Sequence, residues 1–384
     1  MIKNNVPPAC SCWVLRPLAR KDTQASRGDY RGCRFDECLC SDNQQNSLIL
    51  NQLDLGQSFQ INQGTLVPNK PVFMTVHDLG CNHYQYEDFM GNPKMAPIRQ
   101  RAAWLHIDLP GQGDGEEELP ASYQFPPIHK LPEAMKAILD HFNIKQVVLF
   151  GEGAGANILA RFAIMYDSLV LGAILIHCTG QSASFAQAIK DKLVNWKLNL
   201  TGMNPATESF LILHRFGPIM DTDSEVELRN AVENFRQNLR HSINPKNLNK
   251  FITSYMQRNN ISDSLGNFKC PALLLAGSLS SQHRACRQFY EDLTKAKKNS
   301  DSSPALREFV MVDGVANVIA ERPDKVIGSM QFFLQGLGLM SNLKIQKTPM
   351  QLNRRMSMQD YDRPLGKLHF VNRLSQQIAE EPDL

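Results

Sequence analysis

Two periods of apolar and polar positions run along this chain. Between Ser47 and Asn62, SLILNQLDL and SFQIN flank the turn-forming Gly56 and Gln57, which predicts a β-hairpin. After Pro68 and Asn69 comes PVFMTV (71–76), a short apolar run of the kind a buried strand needs. Further runs of this type are AAWLHI (102–107), QVVLF (146–150), LGAILIH (171–177), PALLLAG (271–277) and REFVMV (307–312). Residues 130–142, 153–167, 282–297 and 323–337 instead carry apolar side chains three and four apart, the helical period. Strand and helix therefore alternate, which is what a mostly parallel sheet with crossover helices on both faces requires. One interval departs from this rhythm. From about Ser182 to Asn267 no strand pattern occurs, and apolar positions such as Val232, Phe235, Leu239, Leu248, Phe251, Ile252 and Tyr255 predict a helical cap inserted between two strands. Thr222 or Asp223 is expected to cap the helix bearing Glu225, and Asn244-Pro245 to start the next one.

Outside this pattern the ends look different. Residues 1–46 and 341–384 each carry seven basic and five acidic side chains and no sustained periodicity, so both are expected to be disordered around an α/β domain at 47–340. The net charge of +3 lies in these ends and is too small to indicate nucleic acid or a stable membrane partner. No apolar run approaches the roughly 20 residues of a membrane span, and the start lacks a secretory leader. Cys10, Cys12, Cys33, Cys38 and Cys40 crowd the first segment, whereas Cys81, Cys178, Cys270 and Cys286 are scattered, a distribution unlike a secreted disulfide framework. A cytoplasmic protein is expected.

The segment QVVLF-GEGAGA-NILARFA joins a buried strand to a helix through Gly151, Gly153 and Gly155. An α/β-hydrolase places its nucleophilic serine on such a turn, as G-x-S-x-G, followed later in the chain by an acid and a histidine. Here Gly153 stands at the serine position, Ser278 at the acid position after PALLLAG, and Ala316 at the histidine position after REFVMV. All three catalytic roles are vacant in this reading. Gly151, Gly153 and Ala156 also fit a dinucleotide fingerprint, but the next strand ends in His177-Cys178 rather than in the acidic residue that would hold a ribose. No cofactor is expected, and His77 and His83 lack the spacing and third ligand of a metal site. Two loops, at 76–83 and 108–115, fall at the same sheet edge, which makes His77, Asp78, Asp108, Glu152 and Ala154 candidate lining of a vestigial pocket. Glu152 is read as a cap-facing carboxylate beside a helix N-terminus, and Cys178 as a small buried hydrophobe.

Taken with INPKNL, CPALLLAG and FFLQGLGLM, the motifs VHDLGCNH, DLPGQGDG and GEGAGANILARFA resemble the NDRG (N-myc downstream-regulated) family over roughly Ser58 to Met340. That resemblance implies a non-catalytic branch of the α/β-hydrolase fold, acting in signalling, stress response or trafficking through protein partners. Two alternatives stand beside it: a small-molecule-binding module using the vestigial pocket, or a hydrolase whose chemistry has moved to Cys81 or Cys178. In the last segment, Arg354-Arg355-Met356-Ser357 is an arrangement basophilic kinases read, so Ser357 is an expected phosphosite, adding about −1.5 to −2 charges.

Overall fold

The structure, a computed structural model, describes residues 14–17, 46–53, 57–63, 70–182, 203–217, 226–298 and 306–341. Among them nine strands form one sheet: β1 (Val14–Pro17), β2 (Asn46–Leu53), β3 (Gln57–Gln63), β4 (Val72–Val76), β5 (Ala103–Asp108), β6 (Val147–Glu152), β7 (Val170–Ile176), β8 (Ala272–Gly277) and β9 (Arg307–Val312). Their spatial order is β1-β2-β3-β5-β4-β6-β7-β8-β9. The first three strands are antiparallel to their neighbours, and the six from β5 to β9 run parallel. The hairpin and the parallel succession read from the sequence are both present. Val14–Pro17 lies within the first 46 residues, expected to be disordered, yet pairs along the β2 edge. VLRP is too short and too mixed to give a periodic signal.

Every residue of β4, β6 and β8 is buried, as strands covered on both faces must be. The covering helices are α1 (Leu131–His141) and α2 (Gly153–Met165), then α6 (His283–Lys298) and α7 (Pro323–Gly336), with α3, α4 and α5 assigned below. The first eleven residues of α2 are buried because the helix packs against β4, β6 and β7. Its approach to β4 is so close that a Cβ at Gly155 would lie 2.1 Å from the Val76 carbonyl oxygen. Only glycine fits there.

Between β7 and β8 lie α3 (Pro205–Phe216), α4 (Val226–His241) and α5 (Pro245–Met256), in the interval read as helical. Asn244 caps α5 as its sequence predicts, its side chain accepting from the Lys246 and Asn247 amides. The cap expected at Thr222 or Asp223 lies outside the described residues. Leu248, Phe251, Ile252 and Tyr255 recur at helical spacing on α5 and are all buried, each such side chain contributing about 1.5–3 kcal/mol of burial free energy. Asn247, fully buried on the same helix, donates to the carbonyls of Gly111 and Glu117 and accepts from the Leu119 amide. These bonds tie α5 to the loop after β5.

Candidate functional site

At the turn from β6 into α2, Gly153 has φ +57°, the left-handed region that a side chain enters only at a cost. This is where a nucleophile would project. A Cβ built at Gly153 would lie 2.3 Å from the Cγ and both oxygens of Asp78, which comes from the loop after β4. The Asp78 Oδ1 accepts the Ala154 amide at 2.7 Å and its neighbour Leu79 amide at 2.8 Å. In a working elbow the amide after the nucleophile is an oxyanion donor. Here an internal carboxylate has taken it. In such folds a loop after an earlier strand furnishes the second donor, whereas here the loop after β4 furnishes an acceptor.

One residue earlier, Glu152 is 1% exposed and held by three further segments. The Arg215 Nη2, from the end of α3, is 3.1 Å from Glu152 Oε2, Gln85 donates to that oxygen at 2.6 Å, and Asn317 donates to Oε1 at 2.7 Å. Burial opposes the carboxylate, but Arg215, then His177 and Gln85, overcome it and hold the Glu152 pKa down to about 2. The Glu152 amide donates to the Tyr86 hydroxyl, which itself donates to the Val76 carbonyl. Glu152 does face the inserted helices, but its side chain does not cap α2.

The thiols are unsuited to nucleophilic work. Cys81 accepts a hydrogen bond from Arg215, yet burial pushes it up to about 12, far from a thiolate at neutral pH. Burial raises Cys178 well above its ordinary value too.

His77, His83 and His177 near the elbow are each held by hydrogen bonds or a close carboxylate. His77 Nε2 accepts the Leu109 amide, so its proton sits on Nδ1 and is donated to the Asp78 carbonyl; burial lowers its pKa. His83 Nδ1 lies 2.5 Å from Asp108, whose other oxygen accepts the His83 amide. His177 Nε2 accepts the Gly277 amide, which leaves Nδ1–H facing Glu152 Oε1 at 3.4 Å. His214 Nε2 stands 4.0 Å from Asp78 Oδ1, and burial lowers its pKa as well.

On the far side of the elbow, Ala316 is buried 3.1 Å from the point where a Cβ on Gly217 would lie, so the end of α3 closes over it. Ser278 accepts the Gly314 amide at 2.9 Å, a loop-fastening bond. His77, Asp78, Asp108, Glu152 and Ala154 were expected to line a pocket, but all are interior, and none borders either of two surface clefts of about 580 and 740 Å³. Beside Gly153 the space is taken by the Asp78 carboxylate. Sequence reasoning missed Arg215, Gln85, His177, His214 and Asn317. Their only local signal is polar character at element ends. Ser357 and the early cysteines lie outside the described residues.

Sheet order, inserted helices and the turn at Gly153 define an α/β-hydrolase fold. Solved structures bear this out: a hydrolase from Pseudomonas aeruginosa superposes with TM-score 0.58 at 16% identity, covering 75% of this chain and 98% of that one. A thermophilic esterase from Thermogutta terrifontis gives 0.58 at 15%, covering 77% and 99%. The chain belongs to the Ndr family, which matches residues 55–341. An uncharacterized Caenorhabditis elegans protein, ZK1073.1, is 31% identical over 77% of this chain and 85% of its own. Protein NDRG1-A of Xenopus laevis is 30% identical over 72% and 67%, and Protein NDRG3 of Xenopus tropicalis 29% over 72% and 69%. No described helix is long and apolar enough to cross a membrane.

Proposed function

We propose that this protein is a non-enzymatic member of its family, a cytoplasmic adaptor in signalling, stress response or trafficking that works by contact with other proteins. The observation that carries this reading is the Asp78 carboxylate, which occupies the nucleophile's place and takes the Ala154 amide. Gly153, Ser278 and Ala316 stand at the nucleophile, acid and histidine positions, and none has the side chain its position would need in a hydrolytic triad. Loss of the nucleophile alone removes about six orders of magnitude of turnover. With the fold's usual chemistry gone, the scaffold's remaining assets are its surfaces. Turnover of short acyl esters by the full chain tests the reading. Rates equal to the buffer blank are expected. Rates above the blank, lost on Cys81→Ala or Cys178→Ala, would overturn it in favour of relocated cysteine chemistry.

A further inference from the structure

Arg161 on α2 is only 4% exposed, yet all its hydrogen bonds go to neutral groups. Its Nε donates to Asn157 Oδ1 at 2.9 Å, Nη1 to Asn259 Oδ1 at 2.7 Å and Nη2 to the Asn259 carbonyl at 2.6 Å. No carboxylate pairs with it among the described residues, although buried charges are ordinarily paired. Its charge is felt as a burden: burial, and then the neighbouring Arg258, depress its pKa to about 10.

Arg258, just beyond α5, is likewise without a carboxylate partner among the described residues. Its guanidinium stacks 3.9 Å from the Tyr255 ring centre, Nη1 donates to the Tyr255 carbonyl, and Nε is buried with no partner. Lys250 lies two helical turns earlier, on the same face, and reaches the Tyr123 carbonyl with one of its three protons. Lys250 and Arg258 border the cleft of about 580 Å³, together with Phe125, His129 and Asn259. No Asp or Glu lines it. One guanidinium and one ammonium thus border the concavity, a second guanidinium lies buried behind Asn259, and no carboxylate among the described residues lines it.

We propose that this cleft binds a phosphate monoester. Guanidinium groups present fixed pairs of donors matched to phosphate oxygens, and a dianion answers the accumulated charge better than a single carboxylate does. Arg258 and Lys250 contact the phosphate, and Arg161 adds its field from behind Asn259. The volume exceeds what a bare phosphate needs and falls in the range of small-molecule sites, so the organic part lies along Phe125. The site is separate from the elbow, and its existence does not depend on whether the protein is an enzyme.

The test uses the full chain in calorimetric titrations and thermal melts with inorganic phosphate and with adenosine 5′-monophosphate, against sodium chloride at matched ionic strength. Saturating monophosphate is expected to raise Tm by about 3–6 °C beyond the chloride control. Arg258→Gln is expected to weaken binding at least about tenfold, and Lys250→Gln by a smaller factor, with Arg258→Lys intermediate. Sedimentation with phosphatidylcholine vesicles carrying phosphatidic acid separates the sources. Binding of the soluble ester identifies a metabolite, and binding of vesicles alone, lost in the same variants, identifies a lipid headgroup; either supports the phosphate site. No heat and no shift beyond chloride, with no vesicle binding, would overturn it. So would unchanged affinity in Lys250→Gln, a half-buried position that keeps the test open should Arg258→Gln fail to fold.

Discussion

At the scale of single residues, the elbow is governed by two carboxylates, Asp78 and Glu152, in opposite circumstances. Asp78 is satisfied by backbone amides, Glu152 by a guanidinium and side-chain amides. Gly153→Ser places a Cβ in the left-handed region and against the Asp78 carboxylate, so a loss of about 2 kcal/mol or more is expected in urea melts, with no esterase activity gained. Adding Asp78→Gly should recover part of that stability. Arg215→Met leaves Glu152 buried without its cation, an expected loss of about 3–5 kcal/mol. Glu152 also sets the acid limb of stability. Its folded pKa, about 2, lies below its ordinary 4.5, so its contribution is present above pH 4.5 and disappears as pH falls toward 2, roughly 3 kcal/mol in all. His77, His106 and His214, whose pKa values burial depresses, act earlier: the unfolded chain takes up their protons first, so stability begins to fall below about pH 6.5. Urea melts from pH 7 to pH 3 should show both limbs, and Arg215→Met should flatten the lower one.

Elements behave as their sequences suggest where the information is local. Asn244→Ala removes the side-chain acceptor from two amides at the start of α5 and should cost about 1 kcal/mol in the same melts. The apolar runs of β4 to β9 and the helical periods of α1, α2, α6 and α7 were readable because burial on both faces or on one stripe leaves a short-range pattern. The left-handed turn at Gly153 was readable for the same reason, since a strand, three glycines and a helix are contiguous at 146–165. What stands beside it was not. Asp78 meets Ala154 across 76 positions, and Arg215 meets Glu152 from another element altogether, so no window of sequence contains both partners. HDLG reads as a polar loop until the fold returns its carboxylate to the elbow. The residues expected to line a pocket are interior, and Asp78 stands beside Gly153 among them.

For the molecule as a whole, the central strands β4, β6 and β8, buried on both faces, couple the elbow to the elements around it. Cys81, Cys178, Cys270 and Cys286 are all buried and free, with burial raising each thiol's pKa. Iodoacetamide mapped by mass spectrometry should label these four only at the rate of global unfolding, and quickly in denaturant. Labelling of Cys81 in the native protein would mean that α3 lifts from the elbow. The position of Asp78 also bears on the lineage's future. A serine arriving at position 153 by one substitution would meet a carboxylate already seated in its space, and the variant would be less stable than its parent. Seating a serine there without a clash therefore requires Asp78 to change first, itself a loss of two satisfied amides. Such a pair of changes, each disadvantageous alone, works as a ratchet: one aspartate holds glycine in place at the elbow.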